Sequence, residues 1–322
     1  MRLFVNGPQP NSCSRLGMLK SPEHRDQEVD MKRWFTGSVL AAIIVALSPS
    51  LSAQWPLYPQ PGVPKGPDGK PNLTAPAPRT TDGKPDFSGI WIRYDDPEPN
   101  GPASGRPPLV KGGNAGAGFK DGLPFQPWAA ELQKKRAAEN GLNDPDGLCL
   151  PQGPLQYHID PQPIKIIQTP RQFIYISESN YGLRNIYMDG RSLPPQGEVQ
   201  PYWHGYSIGR WEGDTLVIES NNFHGVDPNN IRGVGLPDTY LGVGWLDHRG
   251  SPYTEAMKLT ERFRRVNYGL LDIELTVDDP KAYTRPFTVR VLQRIVADGS
   301  EIIEFICHEN QTFLKLTGRA PK

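Results

Sequence analysis

The sequence predicts an all-β protein whose strands form a single antiparallel meander, closed into a barrel or clam of about eight to ten strands with one short helix. Three observations lead to this fold class. The 322 residues include 33 Gly and 35 Pro, about a fifth of the chain, which favours many turns over a helical bundle. After Cys149 the apolar pattern changes to a period of two. The connections between these runs are short, as in hairpins between consecutive strands.

The composition excludes several classes of protein. The 35 Lys and Arg balance the 35 Asp and Glu, so no net charge attracts nucleic acid or an anionic membrane over long distances. A mean hydropathy of −0.53 excludes a protein with many membrane spans. No phosphate-binding Gly-x-x-x-x-Gly-Lys and no dinucleotide fingerprint occurs, so we expect no nucleotide and no cofactor. The histidines lack His-x-His and His-Glu-x-x-His spacings, so we expect no metal site.

The N-terminal region predicts export. Residues 1–30 are polar and patternless, as expected if an upstream start codon was assigned in error. Residues 31–53 resemble a signal peptide, with a positive start at Lys32, an apolar run at Val39–Leu47 and small residues before a cleavage site at Ala53. The apolar run is too short for a comfortable transmembrane helix. We therefore expect a periplasmic or secreted protein that contacts a membrane only if the signal segment is retained.

Export would place the cysteines in an oxidising compartment. Cys13 would be removed with the signal segment, which leaves Cys149 and Cys307. A lone pair of cysteines in such a compartment usually forms a disulfide, and we expect one here. The alternative, a reactive thiolate, lacks support because no basic neighbour or helix N-terminus is evident at either position.

The mature chain begins with a segment rich in Pro and Gly. Residues 54–86 predict an extended leader that wraps or tethers the domain, and the turn sequence Asp-Gly-Lys-Pro occurs in it at 68–71 and again at 82–85. We expect the remainder, residues 87–322, to be one β-rich domain.

Two further segments precede the regular strands. Residues 97–127 are again rich in Pro and Gly and predict a long loop, either a lid or ligand loop or a mobile surface excursion. A helix is expected over residues 127–140, since Pro127 suits a first helical turn and Gly141 suits a helix end.

The strands follow one another closely along the chain. Short hairpins between sequence neighbours predict an antiparallel meander, and closure of the sheet would remove its exposed edges. An open sandwich is the alternative. The expected strands are Ile90–Arg93, Pro163–Thr169, Gln172–Ser179, Leu183–Asp189, Tyr206–Glu212, Thr215–Ser220, Met257–Val266, Leu270–Asp278, Phe287–Ile295 and Glu301–His308.

Several motifs resemble those of known families. Phe87-Ser-Gly-Ile-Trp91 is similar to the Gly-x-Trp that opens lipocalin-type barrels, the calycin-like class. Four motifs, the first of which contains these five residues, resemble a large family of secreted bacterial proteins of unassigned function. The resemblance covers most of residues 80–310. The resemblance implies export and a single domain, and it carries no reaction. The motifs are Asp82-Gly-Lys-Pro-Asp-Phe-Ser-Gly-Ile-Trp91, Ser207-Ile-Gly-Arg-Trp-Glu-Gly-Asp-Thr-Leu-Val217, Thr260-Glu-Arg-Phe-Arg264 and Asp278-Asp-Pro-Lys-Ala-Tyr283.

Strand parity identifies two carboxylates as candidate catalytic residues. Glu261 is in phase with Met257, Leu259 and Phe263, which predicts that its side chain points into the barrel. The last expected strand leads in the same way to Glu309. Burial raises the pKa of a carboxyl group and suits it to acid–base catalysis. The alternative is that each glutamate pairs with an inward Arg or Tyr in a buried network.

His204 is the third candidate catalytic residue, because the ordinary pKa of histidine lies near working pH. It stands within the aromatic segment Tyr202–Tyr206, which predicts one wall of a pocket. The alternative is a histidine that is merely packed between aromatic rings. The expected ligand-binding residues are Trp91, Arg184, Tyr187, Trp203, Tyr206 and Tyr283.

These observations leave three hypotheses for function. The first is an exported protein that binds a small molecule in a partly apolar cavity lined by aromatic residues. The second is a cofactor-independent hydrolase, lyase or isomerase that acts on a sugar or aromatic metabolite through Glu261, Glu309 and His204. The third is a structural protein of the cell envelope. Two carboxylates about 5–10 Å apart at one cavity would favour the enzyme.

Overall fold

The fold is taken from a computed structural model, and the residues it describes belong to one compact unit. The predictions for residues 1–30 and for the signal peptide at 31–53 concern residues outside this description. The described residues are 62–95, 105–141, 143–180, 182–229, 244–307 and 309.

Within the described ranges nine strands form a closed barrel, which confirms the predicted all-β class and excludes the open sandwich. They are β1 (Gly89–Arg93), β2 (Ile164–Gln168), β3 (Gln172–Ser177), β4 (Leu183–Tyr187), β5 (Tyr206–Glu212), β6 (Thr215–Asn221), β7 (Lys258–Arg265), β8 (Leu270–Asp278) and β9 (Phe287–Ile295). The helices are α1 (Pro127–Ala138), which confirms the predicted helix, and the single turn α2 (Gln156–Ile159), with a 3-10 turn at Asp146–Leu148.

The meander departs from the prediction at one place. All neighbouring strands pair antiparallel except β4 and β5, which pair in parallel over only two residue pairs, Ile186↔Ser207 and Tyr187↔Ile208. The connection contains Pro194, Pro195 and Pro201, which suit an extended return along the barrel better than a tight hairpin. Because the pairing is so short, the first half of β4 has no strand beside it on this side.

The expected strand Glu301–His308 does not form within its described part. Residues 301–307 have no strand partner. Since β1 already pairs with β9 through Trp91↔Ile295, the edge of β9 is not available to a tenth strand. An ion pair between Lys165 and Glu301, at 2.9 Å, holds the segment at the surface.

The predicted long loop 97–127 is a packed covering layer over the part that is described, residues 105–126. Leu109, Val110 and Leu123 are buried, and Val110 N–H donates to the carbonyl of Arg290 in β9 at 2.9 Å. The lid, ligand-loop and mobile-excursion interpretations therefore do not fit these residues. The outer faces of β8 and β9 carry buried side chains, so they need this cover.

The described part of the leader, residues 62–86, lies against the barrel. The backbone N–H groups of Tyr268 and Gly269 donate to the carbonyls of Ala75 and Leu73. Arg79 forms an ion pair with Asp214 in the turn between β5 and β6. Tyr268 and Gly269 form the turn between β7 and β8, so the leader contacts two turns of the barrel.

Cys149 and Cys307 form the predicted disulfide, with their Cα atoms 5.5 Å apart. The bridge joins residues 158 positions apart, so it closes a very long loop in the unfolded chain. It ties the segment before α2 to the segment after β9.

We expect removal of the bridge to lower stability. For a loop of 158 residues, the chain-entropy treatment gives a contribution of about 5 kcal/mol, of which measured bridges often deliver less. Urea unfolding with and without reductant measures the difference. The Cys149→Ser/Cys307→Ser double variant should unfold at the lower midpoint and be insensitive to reductant. An equal midpoint in all samples would contradict the prediction.

Candidate functional site

The strand register places a set of polar side chains inside the barrel. In β7, Leu259, Glu261 and Phe263 are buried while Lys258 and Arg262 are exposed, which confirms the predicted phase of this strand. The pairing register from strand to strand places further polar residues on the same inner face as Glu261. They are Tyr175, Arg184, Ser207, Ser220 and Gln293.

Glu261 and Arg184 form a bidentate ion pair across this interior. Arg184 Nη1 donates to Glu261 Oε1 at 3.0 Å, and Nη2 donates to Oε2. Arg184 also donates from Nε to Ser207 Oγ at 3.1 Å and from Nη2 to Ser220 Oγ at 2.9 Å. Both charged side chains are almost completely buried, at 0% and 2% exposure. The guanidinium is therefore held rigidly from three strands.

His158 extends the network from α2. Its Nε2–H donates to Glu261 Oε1 at 2.8 Å, which leaves Nδ1 to accept from the Tyr175 hydroxyl at 3.0 Å. Gln293 Nε2 in turn donates to the Tyr175 oxygen at 3.1 Å. Sequence patterns did not identify His158, because α2 is one turn long and has no periodicity to reveal it.

The pKa of Glu261 shows which of the two predicted roles the geometry fits. Burial acts to raise the pKa of Glu261, but the charge of Arg184 and the hydrogen bonds from His158 and Arg184 outweigh it and bring the pKa to about 2. Glu261 is thus an ionised partner in a buried network. A general acid near neutral pH would require the opposite shift.

We expect Glu261→Gln to lower the free energy of unfolding by about 3 kcal/mol or more, because it leaves Arg184 buried without its counter-ion. Chemical denaturation at neutral pH measures this. The matched control is Glu212→Gln, which removes an exposed partner of Arg210 and Arg262 and should leave stability unchanged.

The pH dependence gives a second readout of the same variant. Since the folded pKa of Glu261 lies below its ordinary value, its contribution is present above pH 4.5 and is lost as the pH falls toward 2. The difference between wild type and Glu261→Gln should narrow over that range. Equal stability of the two proteins at neutral pH would contradict the assignment.

A pocket of about 240 Å³ opens on the side of the barrel, where β4 lacks a neighbour. We call it the lateral pocket. It brings together five of the predicted site residues, His204, Arg184, Tyr187, Trp203 and Tyr206. The complete lining is Pro151, Leu183, Arg184, Asn185, Tyr187, Tyr202, Trp203, His204, Gly205 and Tyr206.

His204 is a buried wall of the lateral pocket, with 7% of its surface exposed. Neither ring nitrogen has a hydrogen-bond partner among the described residues. One face of the ring contacts Tyr157, at 4.7 Å between centroids. The next residue, Gly205, has a φ of +70°, and a Cβ at this position would lie 2.5 Å from the Phe223 ring. Both features exclude a residue with a side chain at position 205.

Burial is the main reason that the pKa of His204 falls to about 3, and the positive charge of Arg184 adds to it. The imidazole is therefore neutral at physiological pH, with one N–H donor and one acceptor. Because the unfolded chain binds this proton more readily, His204 lowers stability as the pH falls below about 6.5.

We expect the ring of His204 to remain neutral at pH 5, where an ordinary histidine is mostly protonated. Long-range nitrogen–proton NMR spectra report the protonation state, and His204→Gln assigns the signal. A peptide of residues 202–206 serves as the control and should titrate near pH 6.5. A midpoint near that value in the folded protein would contradict burial of the ring.

Aromatic rings form the outer walls of the lateral pocket. Tyr187 and Tyr206 stack with centroids 5.4 Å apart, and Tyr202 meets Tyr206 edge to face. At the rim, the guanidinium of Arg191 lies 3.8 Å from the centre of the Tyr187 ring and donates to the Tyr206 hydroxyl. Asp189 pairs with Arg191 at 2.7 Å.

Besides Glu261, three predicted site residues do not line the lateral pocket. Trp91 and Tyr283 are fully buried, and they donate to the backbone carbonyls of Phe87 and Pro252 rather than lining the lateral pocket. Glu309 is exposed, so the prediction that it points into the barrel is wrong. Strand parity does not apply to Glu309 because the segment before it is not a strand. Glu261 and Glu309 therefore do not share a cavity.

A second polar cluster lies beside α2. His248 lies 3.5 Å from Asp144 and 3.3 Å from Asp160. Burial acts to lower the pKa of His248, but these two carboxylates raise it to about 10. Burial and the neighbouring carboxylates raise the pKa of Asp146 to about 6. Among the described residues no group of His, Cys, Asp or Glu side chains has an arrangement that could hold a metal ion.

Comparisons with known proteins give no match. No family model, no curated protein and no solved structure is significantly similar to the chain. Within the described ranges, no helix combines the length and apolar character needed to cross a bilayer.

Proposed function

We propose that this protein is exported and binds a small molecule in the lateral pocket. The observation that carries the proposal is the lining of this pocket, where aromatic side chains meet the buried polar residues Arg184 and His204. Buried polar groups at the wall of an aromatic cavity are typical of sites that orient a small molecule.

The surroundings of His204 also suit a ligand site. Small-molecule sites are concave and combine aromatic walls with a few polar groups that orient the ligand. The lateral pocket has four aromatic walls, and Arg184 and His204 are its buried polar groups. Since Arg184 is fixed by Glu261 and His158 is bonded to the same carboxylate, the polar floor is rigid before a ligand arrives.

Two observations support export. The disulfide between Cys149 and Cys307 suits an oxidising compartment. Residues 31–53 have the regions of a signal peptide.

A binding function is favoured over the proposed hydrolase, lyase or isomerase. That hypothesis depended on two carboxylates at one cavity, and Glu261 is paired inside the barrel while Glu309 is exposed outside it. His204, with a pKa of about 3, is a poor proton acceptor at neutral pH. The ten residues that line the lateral pocket include no carboxylate.

We expect single-ring compounds to bind in the lateral pocket and to shift the indole NMR signal of Trp203. A fragment set containing neutral, anionic and cationic rings provides the probes. Tyr206→Ala should weaken binding about tenfold, since it removes one aromatic wall. Tyr94→Ala is the matched control, because that ring lies under Arg294 and does not line the pocket.

Two results would contradict the proposal. The first is the absence of binding by any fragment in the set. The second is binding that Tyr206→Ala and His204→Gln leave unchanged, which would place the ligand elsewhere.

A further inference from the structure

We infer that the lateral pocket selects uncharged, hydroxylated ligands of a single ring and discriminates against anions and cations. This inference rests on the proposed function and names the ligand class for the same site. It follows from the way in which every charge at the pocket is already paired within the protein.

The charge of Arg184, the cation in the wall of the pocket, is balanced within the protein. Arg184 is the only charged residue among the ten that line the pocket. Four of its five N–H groups donate to Glu261, Ser207 and Ser220. The carboxylate of Glu261 balances the charge of this guanidinium. A ligand carboxylate would therefore find at most one N–H group that is not engaged and a charge that is already balanced.

The cation at the rim is neutralised as well. Arg191 donates to Asp189 from Nε at 2.9 Å and from Nη2 at 2.7 Å, and its Nη1 donates to the Tyr206 hydroxyl at 3.0 Å. Its guanidinium also lies over the Tyr187 ring. An incoming anion would have to displace Asp189 to gain this charge.

The other polar groups of the lining are uncharged, and together they suit a hydroxyl group. They are the amide of Asn185, the hydroxyls of Tyr187, Tyr202 and Tyr206, and the neutral imidazole of His204, whose nitrogens are enclosed. Such groups offer both donors and acceptors, and a ligand hydroxyl can serve either. A carboxylate can only accept, and an ammonium group can only donate. Either ion would also lose its hydration on entering the pocket, where no unpaired opposite charge awaits it. The free energy lost by this desolvation exceeds the free energy gained from one hydrogen bond.

The dimensions and walls of the pocket set the size and shape of the ligand. Sites for drug-sized molecules measure roughly 300–1,000 Å³, and the lateral pocket measures about 240 Å³. One ring is therefore the appropriate size. Tyr187, Tyr202, Trp203 and Tyr206 offer flat apolar surfaces, against which either an aromatic ring or the apolar face of a sugar ring packs.

The test compares four probes that separate charge from ring type. Benzyl alcohol, benzoate and benzylammonium share one ring and differ in charge, and methyl β-D-glucoside offers a hydroxylated sugar ring. NMR titration of the Trp203 indole measures each affinity. We expect benzyl alcohol or the glucoside to bind at least tenfold more tightly than both ions, with little dependence on salt. Which of the two neutral probes binds more tightly distinguishes an aromatic ligand from a saccharide.

A charge variant adds an independent arm. Asp189→Asn removes the partner of Arg191 and should raise the ratio of benzoate to benzyl alcohol affinity several-fold. Asp214→Asn is the matched control, because it frees Arg79 of a comparable ion pair at the turn between β5 and β6, and it should leave the ratio unchanged. Both substitutions lie at ion pairs on the protein surface, so the fold should tolerate them.

The outcomes separate this inference from the proposed function. Tighter, salt-sensitive binding of benzoate by the wild-type protein would overturn the selection for neutral ligands while leaving a small-molecule site intact. An unchanged ratio in Asp189→Asn would also overturn it. Failure of all four probes and of the fragment set would overturn the proposed function and this inference together.

Discussion

The buried ion pair between Glu261 and Arg184 is the interaction on which the interior of the barrel depends. Two charges removed from water are costly unless all their hydrogen-bonding groups find partners. Here Ser207, Ser220 and His158 supply those partners, and they come from two further strands and from α2. The pair thus fixes the positions of β4, β7 and α2 relative to one another in a way that apolar packing alone would not.

The same pair connects the interior to the surface. Arg184 pairs with Glu261 and also lines the lateral pocket, which lies where the short parallel pairing of β4 and β5 leaves a gap in the wall. In a barrel with continuous pairing, the guanidinium would be hidden behind the sheet. The irregular pairing therefore places a buried, hydrogen-bonded cation in the wall of a surface pocket without opening the core.

The sequence predicted those features that depend on local patterns. The alternation around Glu261 was sufficient to place it inside, and the aromatic segment around His204 was sufficient to identify a pocket wall. The prediction that Glu309 points into the barrel was wrong. Ile303 and Phe305 alternate as in a strand, but β9 already pairs with β1 and the segment forms no strand. The sequence around His158 has no periodicity, and nothing local reveals that β4 and β5 run in parallel. These features are decided by how distant segments meet.

Closure of the barrel also has a kinetic consequence. The first strand, β1, pairs with the last, β9, so the sheet cannot close until about two hundred intervening residues have been made available. Contacts between such distant segments slow folding, because the entropy of ordering the loop is lost before the contacts form. The disulfide joins an even later residue, Cys307, and so cannot act as an early guide. Until β9 is available, β1 and the strands paired to it present a free edge, and during that interval the protein is most exposed to aggregation.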